Sequence, residues 1–130
     1  MKNGRSFLIR LPQGSDIHKE LLALCEKKRV RLGWVTVIGA TRRAKVGYYD
    51  QKKHVYSHKE FADEMEILSC AGNVSLKDGK PFAHLHVTLS DTECRAFGGH
   101  LFESDVYAAE LFLQELKGKE LERLPDAATG

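Results

Sequence analysis

Three histidines in the second half of the chain are the residues whose types and spacing suggest chemistry. The segment 81–102 reads PFAHLHVTLSDTECRAFGGHLF and holds His84, His86 and His100. Neutral imidazoles are good ligands for zinc and similar first-row ions. Three protein nitrogens leave a fourth position for water, which is the arrangement of catalytic rather than structural zinc sites. The pattern therefore indicates a site for a divalent metal, with zinc as the best match to the ligands.

Convergence of the histidines depends on the strands that carry them. Residues 82–89 alternate between polar and apolar types, so His84 and His86 share one face, roughly 7 Å apart along a strand. A turn centred on Thr92 would place residue 84 opposite residue 100 of the returning strand. Because directly opposed residues share a face, all three imidazoles would then meet.

Two glycines, Gly98 and Gly99, precede the third histidine. A one-residue shift in register would turn His100 to the opposite face, and a bulge at the glycines would restore it. A glycine loop beside the site would also let the backbone approach a bound ion or anion closely. The alternative interpretation is that His84 and His86 lie on a half-exposed strand face, that His100 caps a glycine turn, and that none of them binds a metal.

Carboxylates that would support such a site are harder to place. Glu66, Asp105 and Glu110 are candidates to hydrogen-bond the ligands or to act as a general base. Each is also typical of an ordinary surface carboxylate, so the catalytic residues stay unknown. The remaining histidines are predicted to be solvated, on a helix or in a lysine-rich loop: His18, His54 and His58.

One helix and a series of strands must position these residues. Apolar residues recur at helical spacing over 16–30, with Ser15 as the candidate N-cap and Gly33 ending the helix. The segments that resemble strands are 6–11, 34–49, 54–57, 65–76, 82–89, 95–101 and 106–116. The last of these also fits a helix, and we favour the strand. These elements predict an α+β fold, a mostly antiparallel sheet with one main helix after the first strand.

Length and composition limit the possible classes of protein. The 130 residues, 42% hydrophobic, predict a single domain over 1–130, with a core of about 6–124 and a loose tail at 125–130. A formal net charge of +2 argues against nucleic-acid binding through bulk charge. Three cysteines without a CxxC motif predict free thiols and a reducing compartment. No signal peptide or membrane span is recognisable, so we expect cytoplasmic localisation and no membrane partner.

Several segments, in matching order, resemble the PPC domain (plants-and-prokaryotes-conserved domain). They are RLPQGSDI at 10–17, VIGATRRAKVGYYD at 37–50, MEILSCAGN at 65–73 and the HLH…GGHL segment. The resemblance implies an α/β fold built on a mostly antiparallel sheet, and a homotrimer. It also implies that His84, His86 and His100 match a metal-binding cluster of prokaryotic members.

Plant members of that family carry an AT-hook, an Arg-Gly-Arg-Pro element that enters the minor groove of DNA. This sequence has no such element, so it resembles the stand-alone prokaryotic type, whose members are commonly described as predicted DNA-binding proteins. Two hypotheses follow. The first is a homotrimeric binding module for DNA, a protein partner or a small ligand, with a three-histidine metal site. The second is a small metal-dependent, hydrolase-like enzyme acting on a small-molecule substrate.

Overall fold

The computed structural model describes residues 1–129, and Gly130, the end of the predicted loose tail, lies outside them. Seven elements follow one another along the chain. They are β1 (Lys2–Leu11), α1 (Ile17–Lys28), β2 (Gly33–Asp50), β3 (Val55–Phe61), β4 (Met65–Lys77), β5 (Lys80–Ser90) and β6 (Ala96–Lys117). Each pairing between these strands is antiparallel.

The fold is an antiparallel β structure, and the predicted α+β or α/β class is wrong. Strands hold 64% of the residues and the single helix holds 9%, which is not a balanced mixture of the two. The sequence does contain one helix after the first strand, as predicted, but that helix has only 12 residues. The ambiguous segment 106–116 continues β6, so the strand interpretation of that segment is confirmed.

The length of β6 decides how the sheet is assembled. The strand order is β1-β6-β5-β4-β2-β3, and β6 pairs additionally with β2. With 22 residues, β6 pairs with β5 near its beginning and with β1 near its end, while β2 runs along most of it. Strands β6, β5, β4 and β2 therefore form a closed ring of hydrogen-bonded strands, to which β1 and β3 add at either side.

Alternate residues of the ring point inward and form the core. Val35, Leu85 and Leu113 are fully buried, and each comes from a different strand. Ile17 and Leu21 of α1 are also fully buried, at the helical spacing that lines up one face. Burying each such side chain is worth about 1.5–3 kcal/mol. The outward positions of the same strands are thereby left to carry a site.

The beginning of the helix differs from the prediction. Asp16, rather than Ser15, is the N-cap: its Oδ1 accepts a hydrogen bond from the Lys19 N–H at 3.0 Å. Its Oδ2 accepts from the Ser104 N–H at 2.8 Å, which joins the helix to β6. The Ser15 hydroxyl instead donates to the Pro12 carbonyl at 2.6 Å. Both residue types are good caps, and the tertiary contact with β6 favours the carboxylate.

The end of the helix also differs. The C-cap is Arg29, in the left-handed region with φ of 56°, and its N–H donates to the Cys25 carbonyl. Gly33 starts β2 instead of ending the helix, and a Cβ at this position would lie 2.9 Å from the Gln114 carbonyl oxygen. Close approach between strands is therefore the reason for this glycine. Within residues 1–129, no helix is long and apolar enough to cross a membrane.

Candidate metal centre

The three histidines lie on neighbouring strands of the ring. His84 and His86 belong to β5, and His100 belongs to β6. In the ladder His86 is opposite His100, so the connection is centred on residue 93 rather than on Thr92. The register differs from the predicted one by two residues. Because side chains alternate with a period of two, all three imidazoles still point to the same side.

The ladder reaches this register without a bulge at the glycines. Gly98 is opposite Thr88 and Gly99 is opposite Val87, with no shift between β5 and β6. A Cβ at Gly98 would lie 2.0 Å from the Val87 carbonyl oxygen, and one at Gly99 would lie 2.4 Å from that of Gly47. The two glycines are thus part of a strand rather than a loop, and the close approach that they allow is to neighbouring strands.

The spacing of the imidazoles fits a metal ion. One ligand atom from each of His84, His86 and His100 lies within 4.8 Å of the others. The ring centroids are 5.0 Å apart for two of the pairs and 5.7 Å apart for His86 and His100. Nitrogens that bind one zinc ion tetrahedrally are about 3.3 Å apart, so small side-chain rotations would bring the three imidazoles to the spacing of zinc ligands. His86 is exposed, and the other two are half-buried, which leaves one side open.

Electrostatics keeps His84 and His100 in the form that binds metals. Burial, followed by repulsion from the neighbouring His84 and His86, lowers the pKa of His100 to about 4. Burial likewise lowers the pKa of His84, followed by the charges of His86 and Arg123. Both rings are therefore neutral near pH 7 and offer a lone pair. The buried Nδ1 of His100 has no hydrogen-bond partner among residues 1–129, and a bond to a metal would satisfy it.

Aromatic side chains form a wall on one side of the cluster. The ring centroids of Tyr56 and Phe102 lie 4.9 Å and 4.6 Å from that of His100. His58 packs edge-on against Phe102 at 4.4 Å, so this histidine lies on β3 rather than in the predicted loop. A Cβ at Gly47 would lie 2.2 Å from the Phe102 ring. Gly47 therefore supplies the space that Phe102 occupies.

A fourth histidine lies near the cluster and was missed by the sequence reasoning. His18 is half-buried rather than on the solvent side of α1, and its Nδ1 is buried without a hydrogen-bond partner in the described part of the chain. Burial lowers the pKa of His18, and its charge contributes to the lowered pKa values of His84 and His100. Helical spacing could have indicated the position of His18, because residues three apart lie on the same side of a helix and Leu21 is fully buried.

The structure does not bring the two candidate supporting glutamates to the histidines. Glu66 is opposite Ser90, which is four residues, or roughly 13 Å, along β5 from His86. Glu110 is ten residues, or roughly 33 Å, along β6 from His100. Both glutamates line a separate surface cavity. Sequence distance alone gave no information on this point, because strand register decides which carboxylates face the site.

Most of the arginines are paired with carboxylates. Their ion pairs are Arg5–Glu115, Arg31–Glu120, Arg42–Asp105, Arg43 with Glu60 and Glu103, and Arg95 with Asp91 and Glu93. Asp105, the third candidate carboxylate, is therefore engaged with Arg42. The pairing leaves little uncompensated positive charge at these five arginines.

The cysteines offer no alternative ligands in this region. All three are free thiols, as predicted, and Cys25 and Cys70 are buried. Burial raises the pKa of Cys25 to about 11 and that of Cys70 to about 12. Both are therefore protonated at neutral pH, whereas metals bind the thiolate. The imidazole cluster is the donor set that this part of the molecule presents.

Solved structures resemble this chain over almost its whole length. A metal-containing protein from Archaeoglobus fulgidus is 44% identical, with a TM-score of 0.94, and the match covers 99% of this chain and 91% of that one. A plant- and prokaryote-conserved (PPC) protein from Pyrococcus horikoshii is 40% identical, with a TM-score of 0.95 and coverage of 98% and 90%. A candidate DNA-binding protein from Bacteroides thetaiotaomicron is 27% identical, with a TM-score of 0.90 and coverage of 100% and 91%.

Curated relatives are much longer than this chain. A bifunctional protein GlmU from Synechococcus is 31% identical over 126 residues, which are 94% of this chain and 18% of that protein. The chain thus spans about a fifth of the length of the curated relatives that it matches. The family model of the Plants and Prokaryotes Conserved (PCC) domain matches residues 1–117. As the sequence resemblance predicted, this chain belongs to the PCC domain family.

Proposed function

We propose that this chain is a homotrimeric binding module that holds a divalent metal ion, with zinc as the best match, at His84, His86 and His100. The observation that carries the proposal is the convergence of three imidazoles, with ligand atoms within 4.8 Å of one another, at an open surface. The partnerless buried Nδ1 of His100 supports it. The description of the relative from Archaeoglobus fulgidus as metal-containing supports it too.

Three nitrogen ligands would leave a further coordination position at the ion. A metal bound in this way acts as a Lewis acid toward whatever molecule takes that position. The residues of the chain would hold the ion, exclude water on the side of Tyr56 and Phe102, and leave the side of His86 open. This arrangement suits an exchangeable ligand better than a closed structural site.

The metal content of the purified protein tests the proposal. We expect about one ion per chain in the unaltered protein and almost none in a variant with all three histidines changed to alanine. His54→Asn is the matched control, because His54 has a φ of 54°, which asparagine tolerates, and is not in the cluster. A metal content that is equal in the unaltered and triple-variant proteins, or zero in both after zinc is added, would contradict the metal site.

An exposed apolar strip supports the proposed homotrimer. It consists of residues on the outward side of the strands, between 39% and 74% exposed: Leu8, Trp34, Ile38, Leu68 and Phe112. Leu8 is directly opposite Phe112 in the sheet, so these two side chains are neighbours. Contiguous apolar surface of this kind is typical of an interface between subunits. The mass of the protein in solution, measured by light scattering, tests this part of the proposal.

DNA binding is a second candidate, because the relative from Bacteroides thetaiotaomicron is described in those terms. Five arginines are already paired with carboxylates, which weighs against strong electrostatic binding to the phosphates of DNA. We expect duplex binding, measured by fluorescence anisotropy, to be weak at 50 mM salt and lost at 200 mM. Tight binding that withstands the higher salt concentration would instead favour the DNA role.

The hydrolase-like alternative would need a general base close to the ion. Within one chain, Glu66 is roughly 13 Å and Glu110 roughly 33 Å along the strands from the histidines, which weighs against either as that base. We therefore favour a binding function over an enzymatic one. Within this proposal the free, buried thiols of Cys25 and Cys70 suit a reducing compartment such as the cytoplasm.

A further inference from the structure

Arg123 is held against the sheet by two side-chain hydrogen bonds and an aromatic ring. Its Nε donates to the Ser75 hydroxyl at 2.8 Å, and its Nη2 donates to Asn73 Oδ1 at 2.9 Å. Its Cζ lies 5.1 Å from the centroid of the Phe82 ring. The backbone of the same segment is tied to β4, because the Arg123 N–H donates to the Leu76 carbonyl at 2.7 Å. The side chain is therefore ordered rather than free in solvent.

The strand register places this guanidinium beside the histidine cluster. Asn73 is directly opposite His84, and Ser75 is directly opposite Phe82. Directly opposed side chains share a face and have Cβ atoms about 4.5–5.5 Å apart. Arg123 bonds to Asn73 and Ser75, so its guanidinium lies on the face that carries His84. Its charge also contributes to the lowered pKa of His84 and of His100.

The charge of Arg123 differs from that of the paired arginines. Both of its side-chain hydrogen bonds go to neutral oxygen atoms, and no carboxylate within residues 1–129 lies at salt-bridge distance from its guanidinium. A guanidinium has five N–H donors, and only two are used here. The remaining donors form part of a fork that fits the two oxygens of a carboxylate or phosphate.

Two positive charges would therefore meet at the cluster once a metal is bound. A divalent ion on three neutral imidazoles keeps its full charge, and the half-buried guanidinium of Arg123 would repel it. A bound anion that contacts both would relieve this repulsion. An unpaired cation at this position is otherwise a cost to metal binding with no compensation.

We propose that the open position of the metal centre takes a small oxyanion, a carboxylate or a phosphate, with one oxygen on the metal and another accepting hydrogen bonds from Arg123. This inference rests on the proposed metal site and names the class of ligand that the site selects. Arg123 is a binding residue for the anion, and Asn73 and Ser75 orient its guanidinium.

The test uses the full chain loaded with Co²⁺, whose visible absorption responds to a change of ligand. Acetate and inorganic phosphate are titrated separately, at constant ionic strength set with perchlorate. We expect both anions to change the spectrum, and the concentration for half-saturation to rise roughly 10- to 100-fold in Arg123→Gln, as expected for a lost hydrogen bond to a charged group. The half-saturation concentration of Arg123→Lys should lie between those of the unaltered protein and Arg123→Gln. Tighter binding of acetate or of phosphate identifies which source of oxyanion the site prefers.

A second readout separates anion binding from a structural role. Without added anion, Arg123→Gln should bind Co²⁺ at least as tightly as the unaltered protein, because a repelling charge is gone. A variant that is merely misfolded would lose affinity for both metal and anion. Arg42→Gln is the matched control, since Arg42 pairs with Asp105. Asn73→Ala, which removes the orienting acceptor, gives an independent variant that should also weaken anion binding.

Two outcomes would overturn the inference. One is a Co²⁺ spectrum that acetate and phosphate leave unchanged in the unaltered protein. The other is an equal half-saturation concentration in the unaltered, Arg123→Gln and Asn73→Ala proteins. Failure to bind Co²⁺ at all would instead refute the proposed metal site, so the two failures are distinguishable.

Discussion

His86 on β5 lies directly opposite His100 on β6, and their ring centroids are 5.7 Å apart. This pair spans the two strands, while His84 adds the third imidazole from the same strand as His86. This pair ends the β5–β6 ladder, which begins at Ser90 and Ala96, so the backbone pairing of the two strands sets the spacing of the two histidines. The site is therefore as stable as the β5–β6 ladder that supports it.

Each single histidine substitution should weaken metal binding. We expect His86→Ala and His100→Ala each to lower the affinity for zinc by roughly 100-fold or more, because losing even an outer hydrogen-bond partner costs about 10- to 100-fold. A competition titration with a zinc-sensitive dye measures this. His58 packs against Phe102 outside the cluster, so His58→Ala is the control. An equally large loss of zinc affinity in His58→Ala would indicate a different set of ligands.

Gly98, two residues before His100, should be intolerant of a side chain. In Gly98→Ala the new Cβ would lie 2.0 Å from the Val87 carbonyl oxygen, so β5 and β6 must move apart. We expect a loss of about 1–3 kcal/mol in the free energy of unfolding, measured by urea denaturation. Gly79→Asn is the control, because a Cβ at Gly79 has no atom within 4 Å and asparagine tolerates its φ of 73°. Equal stability of the two variants would show that the strands adjust freely.

A charge in the exposed apolar strip should break the proposed trimer. Ile38 is 56% exposed on the outward side of β2, so Ile38→Lys should fold and yet favour the monomer. Light scattering coupled to size-exclusion chromatography gives the mass. Leu124→Lys, at a more exposed site outside the strip, should leave the mass unchanged. An unaltered protein that is already monomeric would refute the trimer.

The stability of the fold should depend on pH through Glu115. The hydrogen-bonded Arg5 lowers the pKa of the Glu115 carboxyl to about 2, from an ordinary value of 4.5. A lowered pKa in the folded state means that the stabilisation is present above pH 4.5 and is lost as the pH falls toward 2. At pH 6 the melting temperature of the unaltered protein should therefore be higher than that of Glu115→Gln. The difference between the two melting temperatures should be smaller at pH 3. Glu110→Gln, on the exposed side of the same strand, is the control. A difference that stays constant with pH would contradict this role.

Local patterns in the sequence determined much of the candidate site. The alternation of residues 82–89 placed His84 and His86 on one face, and in the structure Leu85 between them and Ala83 before them are buried. The helix and the chain reversal before His100 were also predictable. These features follow from the geometry of a few consecutive residues, with periods of 2 and 3.6, and need no knowledge of distant contacts. Side chains on a strand alternate between its two faces, so an error of two residues in the predicted register still left the three histidines on one face.

Only the tertiary structure decided which distant groups surround that cluster. Closure of the sheet through β6 made the fold mainly antiparallel β, set the register of His86 with His100, and left Glu66 and Glu110 away from the imidazoles. Packing of α1 brought His18 near the site, and packing of the segment around Arg123 brought the guanidinium of that residue. Such long-range pairings depend on the packing of many side chains at once, which a single stretch of sequence does not encode.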